Sequence, residues 1–232
     1  MSTRSVLGLA TVVAVMVGTG ARWAPRMAVS VTGQVTIQER PGETTEDIAD
    51  VVVFLEPVGV PAAKIKMSTT KSSVALQSRQ FSPRVRVISE GSKVEFPNQD
   101  PFNHNVFSKM NGGFDTGVYG RGKTKDQVFK EAGVYPIYCN VHPRMTAFII
   151  ALNTPYFTQA GSDGRFAIDN VPPGSYKLHV WHDRATQVDE DLIVRANGVA
   201  NKRIEMNAQG YKYVQHKNKL GKDYTSATGD RY

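Results

Sequence analysis

The sequence predicts an all-β protein built from two sandwiches. Three observations support this. First, 41% of the 232 residues are hydrophobic, enough for one substantial core or two modest ones. Second, Val, Ile, Phe, Tyr and Thr fall in short runs of alternating character, separated by Gly- and Pro-containing turns. Third, no stretch carries the 3.6-residue apolar repeat of a three-turn helix.

The elements follow in order. Val31, Gly33, Val35 and Ile37 share one face of a first strand, with Thr32, Gln34 and Thr36 on the other. The polar loop RPGETTED leads to VVVFLE (51–56), and a mixed connection, PVGVPAAKIKMSTTKSS, follows. Val85 and Val87 then alternate with Arg84 and Arg86, Glu90-Gly91 marks a turn, and Val94 and Phe96 continue the hairpin. HNVFS, DQVF, VYPIYC and TAFIIAL read as further strands, and Pro136 marks an edge or bulge. Beyond Leu152 the texture repeats. Asp163-Gly164 is a turn, RFAI a strand, NVPPGS a tight connection and YKLHVWH a strand; DLIVR and NKRIEM flank an Asn197-Gly198 hairpin turn. Residues 208–232, rich in Gly, Lys and small polar residues, are expected to form a mobile basic tail, with Tyr211 and Tyr213 as candidates for a final strand.

Residues 1–21 have the pattern of an export signal. Arg4 precedes the apolar run Val6 to Val17, and the small residues GTGA end at Ala21, with Thr19 and Ala21 in the small-residue positions before a cut. A spanning helix needs about 20 apolar residues, so the run suits a signal better than a span. An uncleaved anchor is the alternative. Either way the rest of the chain is expected outside the cytosol, periplasmic or secreted. The formal charge is +7, with basic residues thickening at Lys212, Lys217, Lys219 and Lys222. Nucleic-acid binders concentrate such charge on one element with interleaved aromatics, and none is found here. The charge favours an acidic protein partner or a peripheral contact with an anionic membrane surface.

The single cysteine, Cys139, lies in YCNVHPRM (138–145). In an oxidising compartment an unpaired thiol oxidises or cross-links. Cys139 is therefore a buried inert thiol, an intermolecular bridge or a metal ligand. Its neighbours favour the last. The loop offers Cys139, His142 and Met145, and His104 in DPFNHNVFS supplies a fourth donor. Thioether is a poor zinc ligand, and calcium and magnesium want oxygen. Two imidazoles and a thiolate with a weak axial methionine form the ligand set of an electron-transfer copper site. The alternative for Met145 is a core methionine, leaving three ligands. Phe102 and Phe107 read as core residues.

These motifs resemble the cupredoxins, the type 1 (blue) copper family. FSPRVRVISEGSKVEFPNQDPFNHNVFS is similar to the stretch leading to that family's first ligand, and YCNVHPRM to its ligand loop, in the short spacing of amicyanin. The resemblance covers 74–152 and implies one copper ion held by His104, Cys139, His142 and Met145. It also implies that Asn105 ties the two ligand loops together beside the thiolate. Pro143 matches a common loop proline, whereas Arg144 departs from an apolar position. GSDGRFAIDNVPPGSYKLHVWH resembles the carboxypeptidase-regulatory, transthyretin-like sandwich, whose first strands resemble VTGQVTI and VVVFLEP. The expected arrangement is therefore a cupredoxin inserted in a discontinuous second sandwich, 29–63 plus 154–207; the alternative is that the early strands extend the cupredoxin.

His179 and His182 point to opposite strand faces, which argues against a joint metal site. The function these features imply is an extracytoplasmic one-electron carrier, not an enzyme, exchanging electrons with an acidic redox partner such as a cytochrome or dehydrogenase. A copper delivery or sensing module is the alternative.

Overall fold

A computed structural model of the chain describes residues 28–60, 65 and 67–224; the expected export signal lies outside the described residues. The strands are β1 (Val29–Gln38), β2 (Val52–Pro57), β3 (Lys71–Ser73), β4 (Ala75–Gln77), β5 (Gln80–Ser82), β6 (Val85–Ser89), β7 (Lys93–Pro97), β8 (His104–Ser108) and β9 (Phe114–Tyr119). They continue as β10 (Thr124–Val128), β11 (Gly133–Tyr138), β12 (Thr146–Leu152), β13 (Phe157–Gln159), β14 (Arg165–Val171), β15 (Gly174–Trp181), β16 (Val188–Val194) and β17 (Val199–Asn207). The only helical element among the described residues is a 3-10 turn, Ile48–Asp50, so the fold is all-β.

Residues 71–152 form a central sandwich. One sheet has the order β6-β12-β11-β8-β9 and the facing sheet β10-β7-β3, with the β4–β5 hairpin alongside. Alternation fills the space between them. Tyr135, Ile137 and Cys139 from the β11 side, and Ala147, Ile149 and Ala151 from β12, pack against Val94, Phe96, Val106 and Phe129.

The strands on either side of this segment pair with each other. β1 runs antiparallel to β14 and parallel to β17, and β2 lies antiparallel between β13 and β15, with β16 at the edge. Their core includes Val31, Val35, Val53, Leu55, Phe166, Leu178, Val180 and Met206. The chain thus leaves this second sandwich after β2 and returns at β13. Gly164 is one point of closure. It has φ +75°, its carbonyl accepts the Val35 N–H at 2.8 Å, and a Cβ there would stand 2.3 Å from the Val35 oxygen.

The outer face of the five-stranded sheet is covered as well. Val85, Val87, Val134, Phe148, Ile150 and Leu152 point away from the central core and pack against Val52, Phe54, Phe157 and Trp181 of the second sandwich. At the rim of this contact the Arg84 guanidinium bonds Asp50 at 2.7 Å and both Asp183 oxygens at 2.8 and 2.9 Å. Such forked, charge-assisted bonds fix orientation as well as distance.

Two expectations change. Phe102 is not a core residue: it is 39% exposed, with the Arg79 guanidinium 4.6 Å over its ring. Phe107 is buried, as expected. Residues 208–224 contain no strand, and they are not a free tail. They run from the second sandwich to the end of the central one and bond residues far away in sequence. His179 and His182 do point apart. His179 bonds Asp189 at 2.6 Å near the surface, and buried His182 accepts the Arg184 N–H at 3.2 Å.

Candidate metal centre

Three of the four sequence candidates, His104, Cys139 and His142, converge at one end of the central sandwich, and Met145 lies in the same loop as the last two. His104 opens β8, Cys139 follows β11, and His142 and Met145 lie in the loop to β12. That loop closes on itself: Cys139 N–H donates to the Met145 carbonyl at 3.3 Å, and Met145 N–H to the His142 carbonyl at 3.1 Å. One imidazole nitrogen from each histidine and the Cys139 sulfur all lie within 4.8 Å of one another. Sγ is 3.8 Å from His104 Nδ1 and 3.7 Å from His142 Nδ1.

Those separations can be tested against an ion. Bond lengths of roughly 2.3 Å to sulfur and 2.0–2.1 Å to nitrogen put two donors about 3.7 Å apart in a trigonal plane. The donor set therefore fits a metal in both chemistry and spacing. His104 and Cys139 are fully buried, His142 is half-buried, and Met145 is 2% exposed within the same core cluster.

The surroundings prepare the donors. Asp100 Oδ2 lies 2.8 Å from His104 Nε2. A carboxylate there accepts a hydrogen bond from Nε2–H, which fixes the tautomer and leaves the Nδ1 lone pair facing Cys139. Asp100 is itself held by the N–H groups of Ser78 and Arg79 at 2.6 and 2.8 Å. These two residues form the β4–β5 turn with φ of 55° and 56°, the left-handed pair of a tight hairpin turn, and so aim both N–H groups at one carboxylate. Asn98, buried, accepts Asp100 N–H and donates to the carbonyls of Phe102 and Tyr119, which fixes the loop leading to His104.

Burial lowers the His104 pKa, with Asp100 pulling the other way. Burial raises that of the Cys139 thiol, opposed by the backbone N–H groups of Asn105, Val141 and His142. The imidazole is thereby biased to its neutral, ligating form, and the N–H groups are placed to support a thiolate.

Asn105 links the two ligand segments. Its Oδ1 accepts Asn140 N–H at 3.3 Å, and its amide donates to Asp115 Oδ1 at 2.5 Å and to the Gly117 carbonyl at 3.1 Å. Sequence reasoning missed Asp100 and Asp115. Both lie in irregular or edge segments, where spacing carries no periodic signal. It also missed Tyr224 and Lys219, which touch the ligand loop from outside: Tyr224 Oη donates to the Cys139 carbonyl at 3.0 Å, and Lys219 N–H to Asn140 Oδ1 at 2.9 Å.

Residues 151–202 match the family model of polysaccharide lyase family 4, domain II, a minor part of the chain. No curated protein matches the sequence significantly. Similar solved structures are cupredoxins. A purple cupredoxin from Nitrosopumilus maritimus is 24% identical, covering 35% of this chain and 99% of its own, with a TM-score of 0.32. An amicyanin from Paracoccus versutus is 22% identical, covering 42% and 97%, with a TM-score of 0.34. A reduced amicyanin mutant is 19% identical, covering 39% and 89%, also with a TM-score of 0.34.

Proposed function

We propose that the chain is an extracytoplasmic carrier of single electrons with one type 1 copper ion held by His104, Cys139, His142 and Met145. The observation that carries this reading is the convergence of His104 Nδ1, Cys139 Sγ and His142 Nδ1 within 4.8 Å, two imidazoles and one thiol at metal-bridging separation. Copper, when bound to such a set, supplies a one-electron couple whose two states accept nearly the same ligands. The chain's part is to hold the donors still. The two closing bonds of the 139–145 loop, the Asp100–His104 pair and the Asn105 link all serve that end.

With four donors from the chain itself, no coordination position is left for a substrate, which favours a carrier over an enzyme. A delivery module needs ligands that a partner can reach, and three of these four are buried. His142 is half-buried and Arg144 beside it is exposed, so this edge is the proposed electron port. The formal charge of +7 suits an acidic redox partner. In the same reading the cupredoxin segment 74–152 is an insertion in a transthyretin-like sandwich, supported by the pairing of β1 and β2 with strands beyond it. Residues 1–21 serve as the export signal.

The test is titration of purified protein with Cu(II). One ion per chain is expected, with an intense visible thiolate-to-copper absorption that Cys139→Ser abolishes while far-ultraviolet circular dichroism stays that of a β protein. No visible absorption in the parent, or the same absorption in Cys139→Ser, refutes the assignment.

A further inference from the structure

The segment 208–224 leaves the second sandwich and ends on the ligand loop, and its contacts there are specific. Near its start, Ala208 N–H donates to the Gln38 carbonyl and Arg40 to the Tyr211 carbonyl. Farther on, nine residues beyond the end of β17, the His216 ring stacks at 4.3 Å on Tyr138, the residue before Cys139. Phe107 meets the same ring edge-on, and this contact contributes to its burial. Residues 218–222 form a closed turn: Asn218 N–H bonds the Lys222 carbonyl, the Asn218 side chain accepts the N–H groups of Leu220 and Lys222, and Gly221 takes φ +78°. Beyond the turn, Tyr224 stands edge-on to His216 and donates a hydrogen bond from its hydroxyl to the Cys139 carbonyl.

The Cys139–Asn140 peptide is consequently held on both sides. From inside, Asn105 Oδ1 takes its N–H. From outside, Tyr224 bonds its carbonyl. The two sides are joined in a ring: Asn140 N–H to Asn105, Asn105 to Asp115 Oδ1, Lys219 Nζ to Asp115 Oδ2 at 2.6 Å, and Lys219 N–H back to the Asn140 side chain. Each bond alone contributes little, but a closed ring restrains the peptide's rotation as no single bond does.

We propose that residues 216–224 are a strap that positions the ligand loop from the solvent side, with Tyr224 and Lys219 as positioning residues acting through the Cys139–Asn140 peptide. As to copper, the inference rests on the proposed function; as to the loop, it stands on the geometry. Partners one bond removed from a ligand typically carry 10–100-fold in metal affinity. Tyr224 bonds a ligand's backbone rather than its side chain, so the lower end, about tenfold, is expected.

The experiment uses the full chain and three variants. Tyr224→Phe removes one hydroxyl, Lys219→Glu turns the attraction to Asp115 into repulsion, and Lys219→Arg keeps the charge. In metal-free protein, the rate at which Cys139 reacts with an aromatic disulfide reagent should rise several-fold in Tyr224→Phe and Lys219→Glu, and Lys219→Arg should match the parent. In copper-loaded protein, Tyr224→Phe should lose the ion to a chelator about tenfold faster and shift the visible absorption maximum. Thiol rates equal to the parent's in both Tyr224→Phe and Lys219→Glu overturn the strap. So does parental copper retention in Tyr224→Phe when the parent itself binds copper. A parent that binds no copper refutes the copper assignment instead, and the thiol rates still decide whether the strap is seated.

Discussion

Phe148→Ala is expected to weaken both sandwiches together. Phe148 lies on the outer face of β12, half-buried, with its ring 5.3 Å from Trp181 in an edge-on contact and the Arg84 guanidinium 5.8 Å above it. Deleting a fully buried phenyl ring costs about 3–5 kcal/mol, and a half-buried one about half of that, roughly 2 kcal/mol. The lost aromatic pair adds about 0.5–1.5 kcal/mol. The sum, about 2.5–3.5 kcal/mol, lowers Tm by roughly 5–14 °C in a chain of this size. The assay is urea unfolding of metal-free protein with two probes, intrinsic tryptophan fluorescence and pulse-labelling of Cys139. Trp181 reports the interface, and Cys139, buried in the central core, reports the other sandwich. The two transitions should coincide in the parent, because the chain crosses between the sandwiches twice and their sheets share an apolar layer. Both should move to lower urea in the variant. A loss below about 0.5 kcal/mol, the level of an ordinary surface change, refutes the claim that this layer couples them. Separate transitions in the parent refute it as well.

Three further outcomes follow from the same structure. Met145→Leu should keep the copper and the colour but raise the reduction potential, since losing a donor disfavours Cu(II) more than Cu(I); a lowered potential in a redox titration shows its role to be different. Arg144→Glu should slow reduction by an acidic cytochrome at low salt, with the gap closing as salt screens it over about 8 Å, and parental rates at every ionic strength in stopped flow move the port elsewhere. Stability should fall on acidification because Arg184 holds two carboxylates. Its hydrogen bonds keep Glu39 below the usual range, and although burial pulls Asp47 upward, Arg184, His182 and Arg84 together hold it low as well. A carboxylate with a depressed folded-state pKa stabilises above its unfolded pKa and loses that contribution as pH falls through the folded value. The loss should therefore begin near pH 5 and deepen below about pH 4, and Arg184→Gln should flatten it; equal urea midpoints for the parent at pH 7 and 3.5 contradict this.

By itself the sequence determined what rests on local pattern. Alternation in VTGQVTI, TAFIIAL and YKLHVWH dictates strands, because a strand buried on one face must repeat every two residues. The same rule sent His179 and His182 to opposite faces. Cys139, His142 and Met145 were legible as one group because seven residues of a tight loop carry all three, so spacing along the chain is nearly spacing in space. Only the tertiary structure decided the rest. Alternation shows that Val85, Val87 and Phe148 share a face but not what covers it; the second sandwich does, through strands that the chain supplies before and after the central segment. Asp100 reaches His104 only because a hairpin turn from residues 78–79 anchors it. The Lys- and Gly-rich stretch beyond Ala208 reads as a loose tail because it has no apolar period. Its order comes instead from polar bonds and ring contacts to Asp115, Tyr138, Cys139 and Asn140, some 80 to 100 positions earlier. No local pattern encodes such contacts, since they exist only once both sandwiches have folded and brought their surfaces together.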